Sequence, residues 1–309
     1  MIHCHICGQK TEYFLEKDDF SFQKCTSCGL VFVHPQPQEK HLHEEVYSKK
    51  AGYQKHKKKD LNLLRESSHI KKILDFLETV SFPREVRIVS APGPRLLDVG
   101  CSSGEFLFFA KKRGFETYGV ELNPLTAEIA QANGLRVRQG TLKDVHFEDN
   151  FFDVVFLGDI IEHVPSPREL LLECRRILKK GGMLVVSTPN LDCFWARRTF
   201  TLWEWFSVPW SVLTPPHHLF QFQEDNLKML LKELGFHDFV VWYRRPPTLK
   251  YELGSLHLLG KWKREKTMKN LLFMFFSFIA YTKLYVIDML VTPFKKKDCG
   301  MIVVSQNNS

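Results

Sequence analysis

At 309 residues, 44% hydrophobic and 25% charged, the chain can bury a full core, which excludes a disordered or low-complexity polypeptide. Its formal net charge of +8 is compatible with an anionic partner such as nucleic acid, phospholipid or a phosphorylated substrate, and selects none of them. The opening "MIHCHIC" places two cysteines and two histidines where a secretory leader has a charged start and an apolar run. The eight cysteines are therefore expected in a reducing, cytoplasmic compartment, where thiols bind metal or pack rather than pair.

Residues 1–45 carry short β-like runs, "YFLEK" and "GLVFVH", around two C-x-x-C pairs. Cys4 and Cys7 form the first pair and Cys25 and Cys28 the second, with 17 residues between the pairs. A two-residue spacer turns both thiolates of a pair toward one ion, and two such knuckles complete a tetrahedral Zn²⁺ site. Four cysteines close that site, so the ion is structural and 1–45 is expected to be a zinc ribbon. Cys101, Cys174, Cys193 and Cys299 are scattered singly and read as buried, inert thiols. Residues 46–94 read as a helical linker. It holds a lysine cluster from Lys49 to Lys59, a helix with Leu61, Leu64, Ile70, Ile73, Leu74 and Leu77 on one face, and a Pro-broken stretch, "SFPREVRIVSAPGPR".

From residue 95 to 309 short apolar runs alternate with helical patterns. "RLLDVG", "FETYGVEL", "DVVFLG" and "GGMLVVSTPN" read as strands, with helices near 104–113, 124–133 and 167–179. Such alternation predicts an α/β fold whose parallel sheet is covered on both faces. A helix near 224–234, a strand "FVVWY", a long apolar helix and a last strand "GMIVVSQ" follow.

The first strand runs into "DVGCSSGEF", where Gly100 and Gly104 let the backbone approach a ligand and the next helix offers free N–H groups. Asp98 repels a pyrophosphate but suits a cationic ammonium or sulfonium. About twenty residues on, Glu121 ends the second strand, placed to accept hydrogen bonds from two ribose hydroxyls. A nucleoside with a cation and no phosphate describes S-adenosylmethionine. A dinucleotide-dehydrogenase reading lacks the third glycine in register and leaves Asp98 without a role.

The pattern Asp98-x-Gly100-x-Ser102-x-Gly104 resembles the first motif of class I S-adenosylmethionine-dependent methyltransferases. Glu121 matches their ribose-binding acid. "GTLKDVHFEDNFFDVVFLGDIIEHVPSP" and "LLLECRRILKKGGMLVVSTPN" resemble later stretches of the same family, so the likeness runs over about residues 92–245. It implies a Rossmann-like sheet, mostly parallel with the last strand antiparallel. It also implies a cofactor site that includes Asp98, Gly100, Ser102, Gly104, Glu121, Leu122, Thr141, Leu142 and Asp159. Ser102 stands where many members have glycine, and Thr141 where many carry an acid for the adenine amino group.

Methyl transfer needs a positioned, desolvated nucleophile and a base if that nucleophile carries a proton. "GDIIEHV" and "TPN" follow strands at their carboxyl ends, where ligands of open α/β sheets lie. His163 is the first candidate base, with loop support as its other reading. "PPHHLFQF" resembles a segment of small-molecule and sugar methyltransferases, which makes His217 and His218 further candidates. The stretch 191–222, with Trp195, Trp203, Trp205 and Trp210, reads as a substrate lid or as packing against the sheet.

A second insertion, 246–297, contains "LLFMFFSFIAYT" between basic flanks. A spanning helix needs ~20 apolar residues, and Lys283 and Asp288 oppose a span. A buried or lid helix is expected, and peripheral membrane contact through 261–297 is the alternative. The favoured function is methylation of a small-molecule, sugar or glycan-type acceptor. The alternatives are an RNA methyltransferase that grips phosphates through the ribbon and lysine cluster, and a non-catalytic ribbon protein on a decayed enzyme scaffold.

Overall fold

A computed structural model of the chain describes residues 2–17, 19–37, 60–81, 93–206, 212–244, 267–291 and 297–308. The Lys49–Lys59 cluster, Trp210 and the stretch 82–92 lie outside these residues. The larger sheet is built from β4 (Arg95–Val99), β5 (Glu116–Glu121), β6 (Val137–Gln139), β7 (Phe152–Gly158), β8 (Leu178–Pro189), β10 (Phe236–Arg244) and β11 (Gly300–Asn307). Its strand order is β10-β11-β8-β7-β4-β5-β6. β4 pairs in parallel with β5 and β7, β5 with β6, and β7 with β8. β11 runs antiparallel to both β8 and β10, so the last strand is the reversed one, as expected.

Alternation along the strands divides the core in two, because successive side chains point to opposite faces. Leu97, Val99, Val155, Leu157, Leu184 and Val186 face one cluster, which α5 (Pro167–Ile177) and α7 (Glu224–Glu233) cover. Leu96, Val154, Phe156, Val185, Ile302 and Val304 face the other. There the covering helices are α2 (Glu105–Lys112), α3 (Pro124–Ala132) and α1 (Ser68–Ser81).

α1 therefore does more than link. Ile70, Ile73, Leu74 and Leu77 are buried against the sheet, and Arg113 holds the helix through Glu66, Asp75 and Glu78. α5 stops at Ile177, two residues short of the helix read from sequence, because Leu178 already pairs with Phe152 of β7.

The N-terminal region forms a second sheet from β1 (Thr11–Lys17), β2 (Phe20–Cys25) and β3 (Val31–Val33), completed by β9 (Phe220–Gln221). Val31 and Phe32 pair with Gln221 and Phe220, so the ribbon and the "PPHHLFQF" segment share one ladder. The stretch 191–222 contributes α6 (Phe194–Phe206), whose Phe200 and Trp203 pack near Leu15, Phe22 and Val33. Trp195 is fully buried and Trp205 is exposed. Between β10 and β11 stands α8 (Met268–Val291), lying on α6 through Tyr281 and Leu284.

Candidate functional site

The glycine turn after β4 passes through left-handed backbone three times, with φ of +74° at Gly100, +49° at Ser102 and +85° at Gly104. Two of its N–H groups, those of Gly100 and Cys101, donate to the Val120 carbonyl at 2.7 and 3.1 Å, stitching the turn to β5. A Cβ on Gly100 would lie 2.2 Å from Ile160 Cδ1, a side-chain tip that would have to turn aside, and the positive φ itself favours glycine there. Ser102 holds a conformation unfavourable to L-residues by roughly 1–2 kcal/mol. Its N–H donates to Glu121 Oε2 at 2.8 Å, which offsets that cost.

Glu121 joins two loops. Its other oxygen, Oε1, accepts the Asn123 N–H at 2.7 Å, and Asn123 in turn caps α3 by accepting from Leu125 and Thr126 N–H. An ionised carboxylate has about four lone-pair sites, so two remain for a ligand. Asp98, at the carboxyl end of β4, is 3% exposed. Burial, and then the Glu121 charge, raise its carboxyl well above the usual range. A cation in this space would favour its ionised form.

The remaining predicted cofactor residues stand around the same strand ends in different circumstances. Leu122 lies half-buried between β5 and α3. Thr141 caps the short helix α4 (Leu142–Val145), its hydroxyl donating to Asp144 Oδ2 at 2.6 Å, and Leu142 is buried in the core. Asp159 accepts from Ser187 Oγ at 3.0 Å and is ion-paired with Arg244 at 2.5 Å. A ligand must compete with Arg244 for it, and nothing in the spacing of the sequence announced that pair.

The structure brings His163 and His218 together and sets His217 apart as an exposed residue whose carbonyl is used. His163 Nδ1 lies 2.5 Å from the His217 carbonyl, which can only accept. Nδ1 therefore carries the proton, and Nε2 of the neutral ring presents a lone pair. Burial lowers the His163 pKa, and it pushes His218, whose ring meets His163 edge-on at 4.8 Å, down to about 3. Both are neutral at physiological pH.

Beneath them sits Glu162, 1% exposed. Its Oε2 accepts from Thr188 Oγ1 at 2.9 Å, while Oε1 is buried without a hydrogen-bond partner, 4.0 Å from His163 Nε2. Burial, then the Asp159 charge, push its pKa up to about 8. Its carbonyl accepts the N–H groups of Leu219 and Phe220, so the loop after β7 is tied directly to β9 and the ribbon.

In the ribbon, Cys4, Cys7, Cys25 and Cys28 put all four sulfurs within 4.8 Å of one another, with Cys4–Cys28 at 3.6 Å and Cys7–Cys25 at 3.5 Å. A zinc ion with Zn–S bonds of about 2.3 Å needs tetrahedral S···S separations near ~3.8 Å, and this donor set fits it. Ile6 and Cys28 N–H point at Cys4 and Cys25 sulfur at 3.4 Å, stabilising thiolates. The expectation of four isolated thiols elsewhere needs correcting. Cys101 and Cys174 are buried singly, but Cys193 and Cys299 sulfurs face each other at 2.8 Å, a proximity hidden by 106 residues of separation.

The family model of a methyltransferase domain matches residues 65–239. A ubiquinone biosynthesis O-methyltransferase of Hahella chejuensis is 33% identical over 106 residues, which are 32% of this chain and 44% of that protein. The enzyme of the same name from Cereibacter sphaeroides is 35% identical over 114 residues, 34% of this chain and 46% of that protein. The match thus spans about half the length of these curated relatives. Among solved structures, a SAM-dependent methyltransferase from Archaeoglobus fulgidus is 18% identical with a TM-score of 0.45, covering 77% of this chain and 94% of that one.

Proposed function

This chain belongs to the methyltransferase-domain family, the class I S-adenosylmethionine-dependent methyltransferases, and from that premise we propose that it methylates a hydroxyl oxygen of a small-molecule or glycan-type acceptor. The observation that carries the reading is Glu121, whose two oxygens tie the glycine turn to the start of α3 at the carboxyl ends of β4 and β5. Ligands of open α/β sheets lie at such ends. Glu121 receives the ribose hydroxyls there, Asp98 meets the methionyl ammonium, and Gly100, Ser102 and Gly104 give the backbone its close approach. Leu122, Thr141 and Leu142 border the adenine. S-adenosylmethionine, when bound, supplies a methyl group made electrophilic by its sulfonium.

The chain's own part in the reaction falls to the cluster after β7. His163 Nε2 takes the acceptor's hydroxyl proton, while the His217 carbonyl keeps Nδ1 protonated and the ring oriented. His218 lines the acceptor side as a neutral, apolar-faced ring. Asp159 belongs to the frame through Arg244 more than to the cofactor. The names of the O-methyltransferase relatives support an oxygen acceptor of small size over RNA. Residues 1–45 form a structural zinc module held by the four cysteines, with 95–309 as the catalytic domain interrupted by the 191–222 and 246–297 insertions.

Transfer of labelled methyl from S-adenosylmethionine to panels of phenols, sugars, glycan precursors and RNA tests the proposal. Label in the first three classes is expected. Label confined to RNA overturns the acceptor class, and label in none overturns catalysis.

A further inference from the structure

α8 is built inside out for water. Its stripe against α6 carries Ser277, Tyr281, Leu284 and Asp288, all buried, so half of that stripe is polar. The outward face carries the large apolar side chains: Leu272, Phe275, Phe276, Ile287, Met289 and Leu290 are all exposed, Phe276 at 65% and Leu290 at 69%. An ordinary surface helix has the reverse arrangement, and an apolar face of this size, broken by the exposed Lys283, marks an interaction surface. The helix, expected from sequence to be a buried or lid helix or else a membrane contact, buries Ser277, Tyr281, Leu284 and Asp288 and exposes most of the rest of its apolar stretch, Leu271–Val291.

The surroundings say what covers it. In sequence the helix is preceded by Lys261, Lys263, Arg264, Lys266 and Lys269 and followed by Lys295, Lys296 and Lys297, with Glu265 the single acid in these two flanks. On α6, beside it, Arg197 and Arg198 are exposed and line a cavity of about 640 Å³ together with Lys297 and with Asp192, which pairs with Arg197 and Lys297, so that two of the three cations share one acid. Trp205, 72% exposed near the end of α6, adds an aromatic suited to a membrane–water boundary. Apolar face and basic border together match an anionic phospholipid surface.

We propose that α8 lies in the plane of a bilayer, its Phe275/Phe276 face among the acyl chains and Arg197 and Arg198 of the neighbouring α6 at the headgroups. By length the helix could span, since 21 residues rise about 32 Å. Spanning would carry α6, with Arg197, Arg198 and Glu204, into hydrocarbon, because the buried stripe packs on it. Both ends also return to one sheet edge, where Arg244 of β10 pairs with Gly300 of β11. Lys283, exposed on α8, reaches the headgroups along its own stem. This placement is independent of the reaction assigned above.

Flotation of the full chain with phosphatidylcholine vesicles, with and without phosphatidylserine, tests it. Binding to the phosphatidylserine vesicles is expected, weakening as salt is raised, and Phe275→Asp with Phe276→Asp should lower partitioning by roughly 100-fold or more. That variant should keep wild-type affinity for S-adenosylmethionine, which shows that it folds. Absence of vesicle binding, or undiminished binding by the folded variant, overturns the proposal. So does a self-associated chain that the variant dissociates, which would make a second copy the occupant.

Discussion

Glu121→Gln is the perturbation whose effect the geometry defines most closely. In the native loop one carboxylate oxygen takes the Ser102 N–H at 2.8 Å and the other the Asn123 N–H at 2.7 Å. A glutamine side chain offers one carbonyl oxygen and one amide, so whichever way it turns, one of these N–H groups faces another donor. A hydrogen bond to a charged group contributes ~1.5–3 kcal/mol. The folded protein should lose about that much stability, seen as a lower Tm. The ribose loses a charged acceptor at the same time, so affinity for S-adenosylmethionine should fall roughly 10- to 100-fold by calorimetry. Asp98 supplies an internal check. Without the Glu121 charge its carboxyl ionises more readily, so fewer protons should be released on cofactor binding in buffers of differing ionisation enthalpy. A variant that is less stable yet binds with native affinity would confine Glu121 to loop bracing and refute the ribose assignment.

Other consequences can be read from the same contacts. His163→Ala should leave cofactor affinity unchanged and lower turnover by ~10²–10⁴; because burial depresses the His163 pKa, the acid limb of the native rate profile should lie below the ordinary imidazole range, and a limb above it would contradict the assignment. Glu162 keeps its proton in the folded state up to about pH 8, whereas the unfolded chain loses it near the ordinary glutamate value of 4.5. Between those values the native state binds the extra proton, so its contribution to stability declines by about 1.4 kcal/mol per pH unit as pH rises, and denaturant titrations of Glu162→Gln should show that slope removed. Gly100→Ala should lower thermal stability and weaken cofactor binding, through its left-handed backbone and the displacement of the Ile160 tip, and adding Ile160→Ala should recover part of the lost stability; no recovery would place the cost in the left-handed backbone alone. Metal analysis should find one zinc per chain, and Cys25→Ser should reduce turnover more than cofactor affinity. β3 pairs with β9, and the residues at β9 hold the Glu162 carbonyl beside His163.

The sheet was legible because parallel strands covered on both faces leave apolar runs between helical patterns, and "RLLDVG" and "DVVFLG" could hardly be otherwise. The cysteine knuckles and the glycine turn were legible because local spacing alone sets their geometry. What remained hidden depends on contacts between distant segments. The ribbon reads as a separate module, yet Phe32 pairs with Phe220, and backbone pairing over 188 residues leaves no periodic trace. The Asp159–Arg244 and Cys193–Cys299 meetings are of the same kind. The outward face of α8 was illegible for a different reason. A segment apolar nearly all round gives no preferred face, so only the burial of Ser277 and Asp288, in line with the Tyr281 and Leu284 that meet α6, reveals that its greasiest side points outward.

The account rests on the turn after β4 being built for a cationic nucleoside. Equilibrium titration of the purified full chain with S-adenosylmethionine and, separately, with NAD⁺ tests this most directly. Saturable micromolar binding of S-adenosylmethionine with release of protons, and no binding of NAD⁺, is the predicted result. Binding of NAD⁺ instead, or of neither ligand by a folded chain, would contradict it.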